Sequence, residues 1–290
     1  MNNILRFLLA AGCALAALQA AAAPAAIVEG VQMPAWVERD GKRSPAAAGM
    51  ELRGGDQLRT GAGSRLLVKL ADGSLVKLGE NGSLTLAAIA PAPRAGIFKA
   101  ALNVLEGAFR FTTEIAAKQR RRDVTIRVAT VTAGIRGTDL WGRSRDDRQI
   151  VCLIEGRIEV GAEGEAAVTM DQPLQFYQRE KGQTKPVGFV DAKQLEQWAR
   201  ETEIEAGKGA ARRGGKWKVQ LLRAETQDAA LRVYDQVRLA GYAAEIHPAK
   251  DGDKRVYIVR ISNLPSKAEA ESLAGTLKGK YGVGEPGISS

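Results

Sequence analysis

The stretch from Ser64 to Leu86, SRLLVKLADGSLVKLGENGSLTL, leaves little choice of secondary structure. Leu66, Val68 and Leu70 alternate with Leu67 and Lys69, which is the two-residue period of a strand with one buried face. Asp72-Gly73 then supplies a hairpin signal, and Val76 and Leu78 resume the period. Asn81-Gly82 offers a second tight turn, since both residue types tolerate a positive φ. The chain carries 32 glycines and only 5% aromatic residues, a mixture that suits small β-rich modules with many turns. A local echo reinforces the reading. VEGV (28–31), LEGAFRF (105–111) and IEGRIEV (154–160) each set Glu-Gly between apolar residues, as if strands bend at equivalent corners. Residues 27–190 are therefore expected to form an all-β unit, a β-sandwich or short β-roll.

At 290 residues the chain has room for two folded units, and its composition changes twice. From Asp191 to Ala206 the pattern turns helical, with Asp191 as cap and Leu195, Trp198 and Ile204 as an apolar stripe. Residues 207–215, GKGAARRGG, are glycine-rich and cationic with no apolar face, and read as a flexible linker. The segment 216–288 then has its own rhythm. A strand Trp217–Leu222 leads into a helix from Thr226 to Ala240, with Thr226 as N-cap and Gly241 as stop. YAAEIH (242–247) and KRVYIVRI (254–261) are strands around an Asp251-Gly252 turn. A second helix opens at Pro265-Ser266, with Ser266 and Glu269 at capping-box spacing, and a short strand near Val283–Ile288 ends the unit. The order strand-helix-strand-strand-helix-strand builds a four-stranded antiparallel sheet with both helices on one face. The whole is expected to be multidomain: all-β first, α+β second.

The N-terminus MNNILRFLLAAGCALAALQAAAAPAA has one early cation, an apolar run and a tract of alanines, the layout of an export signal over residues 1–22. An uncleaved anchor is the other reading. No later apolar run approaches the ~20 residues that span a bilayer, so a periplasmic protein is expected. With Cys13 removed, Cys152 stands alone in the apolar run IVCLI and reads as a buried, inert thiol.

The formal charge of +9 admits an anionic partner, but export disfavours nucleic acid and leaves wall polymers and anionic lipids. The run KQRRRD (118–123) is either a solvated hairpin tip or part of an anion-binding patch. Catalysis finds no support: His247 is the one histidine, Cys152 lies in the other unit, and no acidic pair marks a cleft. No cofactor or metal is expected. TAGIRGTDLW (132–141) lacks phosphate-loop spacing. Gly134 and Gly137 there suit a sharp corner, with Arg136 and Asp139 available for an ion pair, and a partner-binding surface is the alternative.

The C-terminal segment, about 214–290, resembles the SPOR domain, a peptidoglycan-binding module of bacterial envelope proteins. WKVQL, LAGYAAEI and RVYIVRISNLPSKAEAESL carry the likeness. The family's corners read Gly-small-Phe and Gly-Pro-Phe, where this chain has Leu222-Arg223-Ala224 and Ser262-Asn263-Leu264. The segment from about 50 to 162 resembles the FecR-type periplasmic domain through LRGGDQLRTGAGSRLLVKLADGSLVKL, LEGAFRF and VTAGIRGTDLWG followed by IEGRIEV. The sigma-regulating relatives also carry a cytoplasmic helical segment and a membrane span, which this sequence does not show, so that role does not carry over.

The SPOR resemblance implies that the sheet face turned away from the helices holds glycan strands stripped of their stem peptides. It places Gln220 on that face as a group that donates and accepts at once. Arg260 is expected to meet the lactyl carboxylate of a stripped strand. Ile258 shares its face, and Lys218 and Arg223 lie near enough to contribute. Trp217 and Tyr257 share the parity of core positions. The resemblances together imply an envelope protein that binds peptidoglycan, with the FecR-like unit as an interaction module for another envelope protein. The competing expectation is a signalling protein in which the SPOR-like unit only localises the chain.

Overall fold

The computed structural model describes residues 24–89, 97–114, 121–135 and 137–290. The export signal, Cys13, the loop 90–96, residues 118–120 of the cationic run and Arg136 lie outside the described residues.

Eighteen strands from Ala26–Gln32 to Ala210–Arg212 form one continuous hydrogen-bonded network. Its two layers meet in a single long strand, Ile97–Thr112. The first part of that strand pairs with Ser83–Ile89 and, in parallel, with Arg121–Val128. From Gly107 onward it pairs instead with Leu75–Leu78 and Asp139–Arg145, which belong to the other layer. The core lies between the layers and includes Leu58, Leu66, Leu84, Leu86, Leu102, Phe109, Phe111 and Ile126, all at 1% exposure or less. This is the all-β sandwich expected from the alternation.

The Glu-Gly echo marks three irregular points. The register of strand Ala26–Gln32 shifts between Val28 and Gly30. Gly156, at φ +97°, ends the strand Arg148–Glu155. Gly107, at φ +87°, is where the long strand leaves one layer for the other. A Cβ on Gly107 would stand 2.6 Å from the Gly82 Cα, so this crossing requires glycine both for φ and for space. The Asn81-Gly82 turn, with Asn81 at φ +49°, likewise joins strands of different layers, Leu75–Leu78 and Ser83–Ile89.

The helix after this unit is shorter than its pattern suggested. It spans Ala192–Arg200, with the Asp191 side chain accepting the Gln194 N–H at 2.9 Å. Trp198 stacks on Trp141 across the outer surface of one layer, with ring centroids 4.7 Å apart and planes 10° from parallel. Beyond Arg200 the layer itself claims the chain. Glu201 takes Arg143 at 2.8 Å, Glu203 pairs with Lys77 and Arg110, and the Gln32 side-chain oxygen accepts the Glu205 N–H at 3.1 Å. Those partners hold 201–205 along the sheet and stop the helix from continuing to 206.

The C-terminal sheet runs Glu245–Asp251, Lys254–Leu264, Trp217–Ala224, Gly287–Ser289, all antiparallel. Helices Gln227–Leu239 and Lys267–Leu277 cover one face through Ala230, Val233, Val237, Ala270, Leu273, Ala274 and Leu277. Thr226 and Ser266 cap them, as their sequence positions suggested.

Replacing Gly107 with alanine is expected to cost about 2 kcal/mol or more, from the forbidden φ and the backbone clash together. A fall in the thermal midpoint of the purified chain measures it.

Candidate functional site

Residues 207–215 are not a free tether. Ala210–Arg212 is a strand that pairs antiparallel with Ala26–Gln32, Val31 facing Ala211. The Glu269 carboxylate, 7% exposed, accepts the backbone N–H groups of Gly207 at 2.7 Å, Gly209 at 2.6 Å and Ala210 at 2.9 Å. Glycine-rich composition reads as flexibility when the backbone has no partner. Here the missing side chains let a carboxylate from a helix reach the backbone instead. Further bonds join the two units directly. Gly241 O accepts the Ala35 N–H at 3.1 Å, and the Asn263 amide donates to Ala48 O at 3.4 Å. These contacts lie around the helices and strand ends of the C-terminal unit.

The sheet face opposite the helices is where the candidate residues meet. Strand register sets Glu245 opposite Arg260, Arg260 opposite Gln220, and Gln220 opposite Gly287, one row across all four strands. A second row sets His247 opposite Ile258 and Ile258 opposite Arg223. Strict alternation along Trp217–Ala224 would carry Arg223 to the side of Val219. Instead the register shifts between Gln220 and Leu222, leaving Leu221 as an extra residue. Leu222 then stands opposite the fully buried Val259, and Arg223 returns to the open face beside Ile258. Lys218 lies opposite Ser289 at the far strand. The face thus gathers Lys218, Gln220, Arg223, Ile258 and Arg260.

Its electrostatics were not visible in those five residues alone. Arg260 donates Nε–H to Glu245 Oε1 at 2.8 Å, and Ser262 Oγ donates to the same oxygen at 2.6 Å. Burial pushes the Glu245 carboxyl upward, but the bonds from Ser262 and Arg260 outweigh it and hold the group below the usual carboxylate range. Arg223 pairs with Asp251. Among the described residues the Gln220 amide has no hydrogen-bond partner and Lys218 no ion pair. Glu245 and Ser262 are the members of the site that sequence reasoning missed. Counting back along the hairpin from the Asp251-Gly252 turn would have set Glu245 against Arg260.

The other candidate features resolve structurally. Asp139 takes Arg110 in a two-point pair, Nε–Oδ1 3.0 Å and Nη2–Oδ2 2.7 Å. Gly137, at φ +71°, turns the chain from the strand Val131–Ile135 into Asp139–Arg145. Burial pushes the Cys152 thiol up to about 12, so it is protonated at neutral pH. Among the described residues no group of three His, Cys, Asp or Glu side chains could hold a metal ion. No helix among them is long and apolar enough to cross a membrane.

Comparison with known families decides what the two units are. The model of the FecR protein family matches residues 56–159, and that of the SPOR domain matches 214–286. The chain carries a FecR domain followed by a SPOR domain. SPOR domains bind peptidoglycan, and both domains are envelope-associated binding or signalling modules rather than catalytic ones. No curated protein matches the chain. Two crystal structures of a candidate anti-sigma factor from Parabacteroides distasonis, at 1.65 and 2.50 Å, are similar to it at 15% and 14% identity. Each covers 76% of this chain and 89% of its own, with TM-scores of 0.40 and 0.41.

Replacing Glu269 with alanine leaves the buried N–H groups of Gly209 and Ala210, and the exposed one of Gly207, without their acceptor, and is expected to cost about 2–4 kcal/mol. Limited trypsin digestion should then cut the variant faster at Lys208, Arg212 and Arg213 than the parent protein.

Proposed function

We propose that this protein is an exported, non-enzymatic envelope protein that holds peptide-stripped peptidoglycan strands on the open face of its SPOR domain. The observation that carries the reading is the Gln220 amide, which stands without a partner in the middle of a polar row on the uncovered sheet face. A primary amide there can give and take a hydrogen bond with a sugar hydroxyl or N-acetyl group. Ile258 adds an apolar surface for a ring face. The FecR domain serves as an interaction module toward another envelope protein, and binding of stripped glycan directs the chain to the division septum. The FecR match also supports a second reading, in which that domain senses an envelope partner and the SPOR domain only localises it. Recovery of a receptor or sigma regulator with the purified chain would favour that reading.

The purified protein should sediment with isolated sacculi, and more of it after an amidase removes the stem peptides. Unchanged pelleting after amidase treatment would show that stripped glycan is the wrong ligand. Gln220→Ala should weaken pelleting several-fold while thermal stability changes by less than about 0.5 kcal/mol. A large loss of stability would make Gln220 a structural residue.

A further inference from the structure

The cations of the open face are not equivalent. Arg223 pairs with Asp251 and Arg260 with Glu245, so each brings a carboxylate of the same domain along with its charge. Among the described residues Lys218 makes no ion pair, and neither does Lys216 just before the strand. Lys216 belongs to the same side. Trp217 and Val219 turn toward the core, and alternation leaves Lys216, Lys218 and Gln220 in one line on the other side. The chain enters this line from a fixed place. Gly215 lies so close to the Asn263 backbone that no Cβ would fit, and its N–H donates to Arg212 O at 2.9 Å. The two free lysines therefore stand about 7 Å apart along the backbone, at the end of the open face that adjoins the joint between the units. Arg223, with its carboxylate partner, lies at the other end of the strand.

We propose that Lys216 and Lys218 form the carboxylate subsite of this face, so that a bound glycan strand runs from Gln220 toward the joint with its lactyl carboxylates on the two lysines. The inference rests on the open face being the glycan site. A stripped strand bears a lactyl carboxylate on every second sugar. Its charges recur along its length, and cations in a line answer them better than a cation at one point. Arg260 is less suited to that task, because Glu245 already accepts its Nε–H at 2.8 Å and offsets its charge. An ammonium group without a partner keeps its charge for the ligand and gives up no ion pair on binding. Gln220, next in line, takes an acetamido or hydroxyl group. The lactyl carboxylate expected at Arg260 from sequence is thereby moved to the lysines. The Arg260 guanidinium keeps N–H groups that Glu245 does not use, and these serve uncharged oxygens of the sugars.

The test titrates the full chain with one peptide-free oligomer that alternates N-acetylglucosamine and N-acetylmuramic acid. It is used in two forms, with the lactyl carboxylates free or converted to amides, at low and high salt. The wild-type protein is expected to bind the free-acid form several-fold more tightly at low salt, and the difference should shrink as salt rises. Combining Lys216→Gln with Lys218→Gln should remove the difference, so that both forms bind alike. Lys250→Gln is the control. It removes the same charge at the hairpin end of the same sheet, opposite Arg255, and should keep the difference within about twofold of wild type. Equal binding of the two forms by the wild type would overturn the proposal, as would a difference that survives in the folded double variant. Either result leaves the glycan reading intact. Loss of the difference in Lys250→Gln as well would reduce it to the net charge of the domain and overturn the subsite too. Binding of neither form would remove the subsite and the glycan reading together.

Discussion

The Glu269 carboxylate accepts three backbone N–H groups from Gly207, Gly209 and Ala210 while it lies in the first turn of the helix Lys267–Leu277. A buried carboxylate loses its hydration, and only donors of comparable strength can replace it. Here the replacement is almost complete. The three N–H groups are joined by the favourable potential at a helix N-terminus. In an ordinary capping box this glutamate would reach back to its own cap residue. Ser266 still caps the helix, through the Glu269 N–H at 3.2 Å, but the glutamate side chain is spent on a different segment. That exchange ties one helix of the SPOR domain to the stretch of chain that enters it.

The same stretch is also a strand of the other domain. Ala210–Arg212 extends the sheet beside Ala26–Gln32, so the segment is fastened on one side by a ladder and on the other by Glu269. Close packing completes the joint. Gly209 lies so near Leu273 that a Cβ would come within 3.1 Å of that residue's backbone. The Gly241 carbonyl and the Asn263 amide add direct bonds to Ala35 and Ala48 of the N-terminal β unit. An unpartnered sheet edge is a template for unwanted pairing. Here one edge is closed by the chain's own connection, and a distal edge strand, Gln183–Phe189, carries Lys185 and Pro186, residues that discourage further addition.

Much of this architecture is legible in the sequence because it rests on local rules. Alternation, Gly turns and cap residues are properties of neighbouring positions. They located the strands around Asp72-Gly73, the helices starting at Thr226 and Ser266, and the irregular points at Gly30, Gly107 and Gly156. The misses concern partners distant along the chain. Nothing near Glu269 says that residues 207–210, some sixty positions earlier, would take its carboxylate. Helical periodicity alone carries the helix to 206, because Arg143, Lys77 and Gln32 are not in the window. The extra residue at Leu221 is a property of two strands together, and it moves Arg223 across the sheet. Glu245 was hidden for the same reason, since its meaning comes from the strand opposite.

A fixed joint changes what two linked binding modules can do. On a flexible tether, each domain searches for its ligand independently, and the linker sets an effective concentration for the second event. When the connection is a strand of one domain latched to a helix of the other, orientation is set before either ligand arrives. The SPOR open face then points in one direction relative to the FecR sheets. Two ligands, one on each domain, could be held together only if their geometry matched that direction. The entropy of ordering a linker is already spent in folding, so none is lost on binding. Such an assembly gives up reach and gains selectivity, because a partner in the wrong orientation gains nothing from the second contact. The latch at Glu269 therefore governs how the two domains can act together, whatever each of them binds.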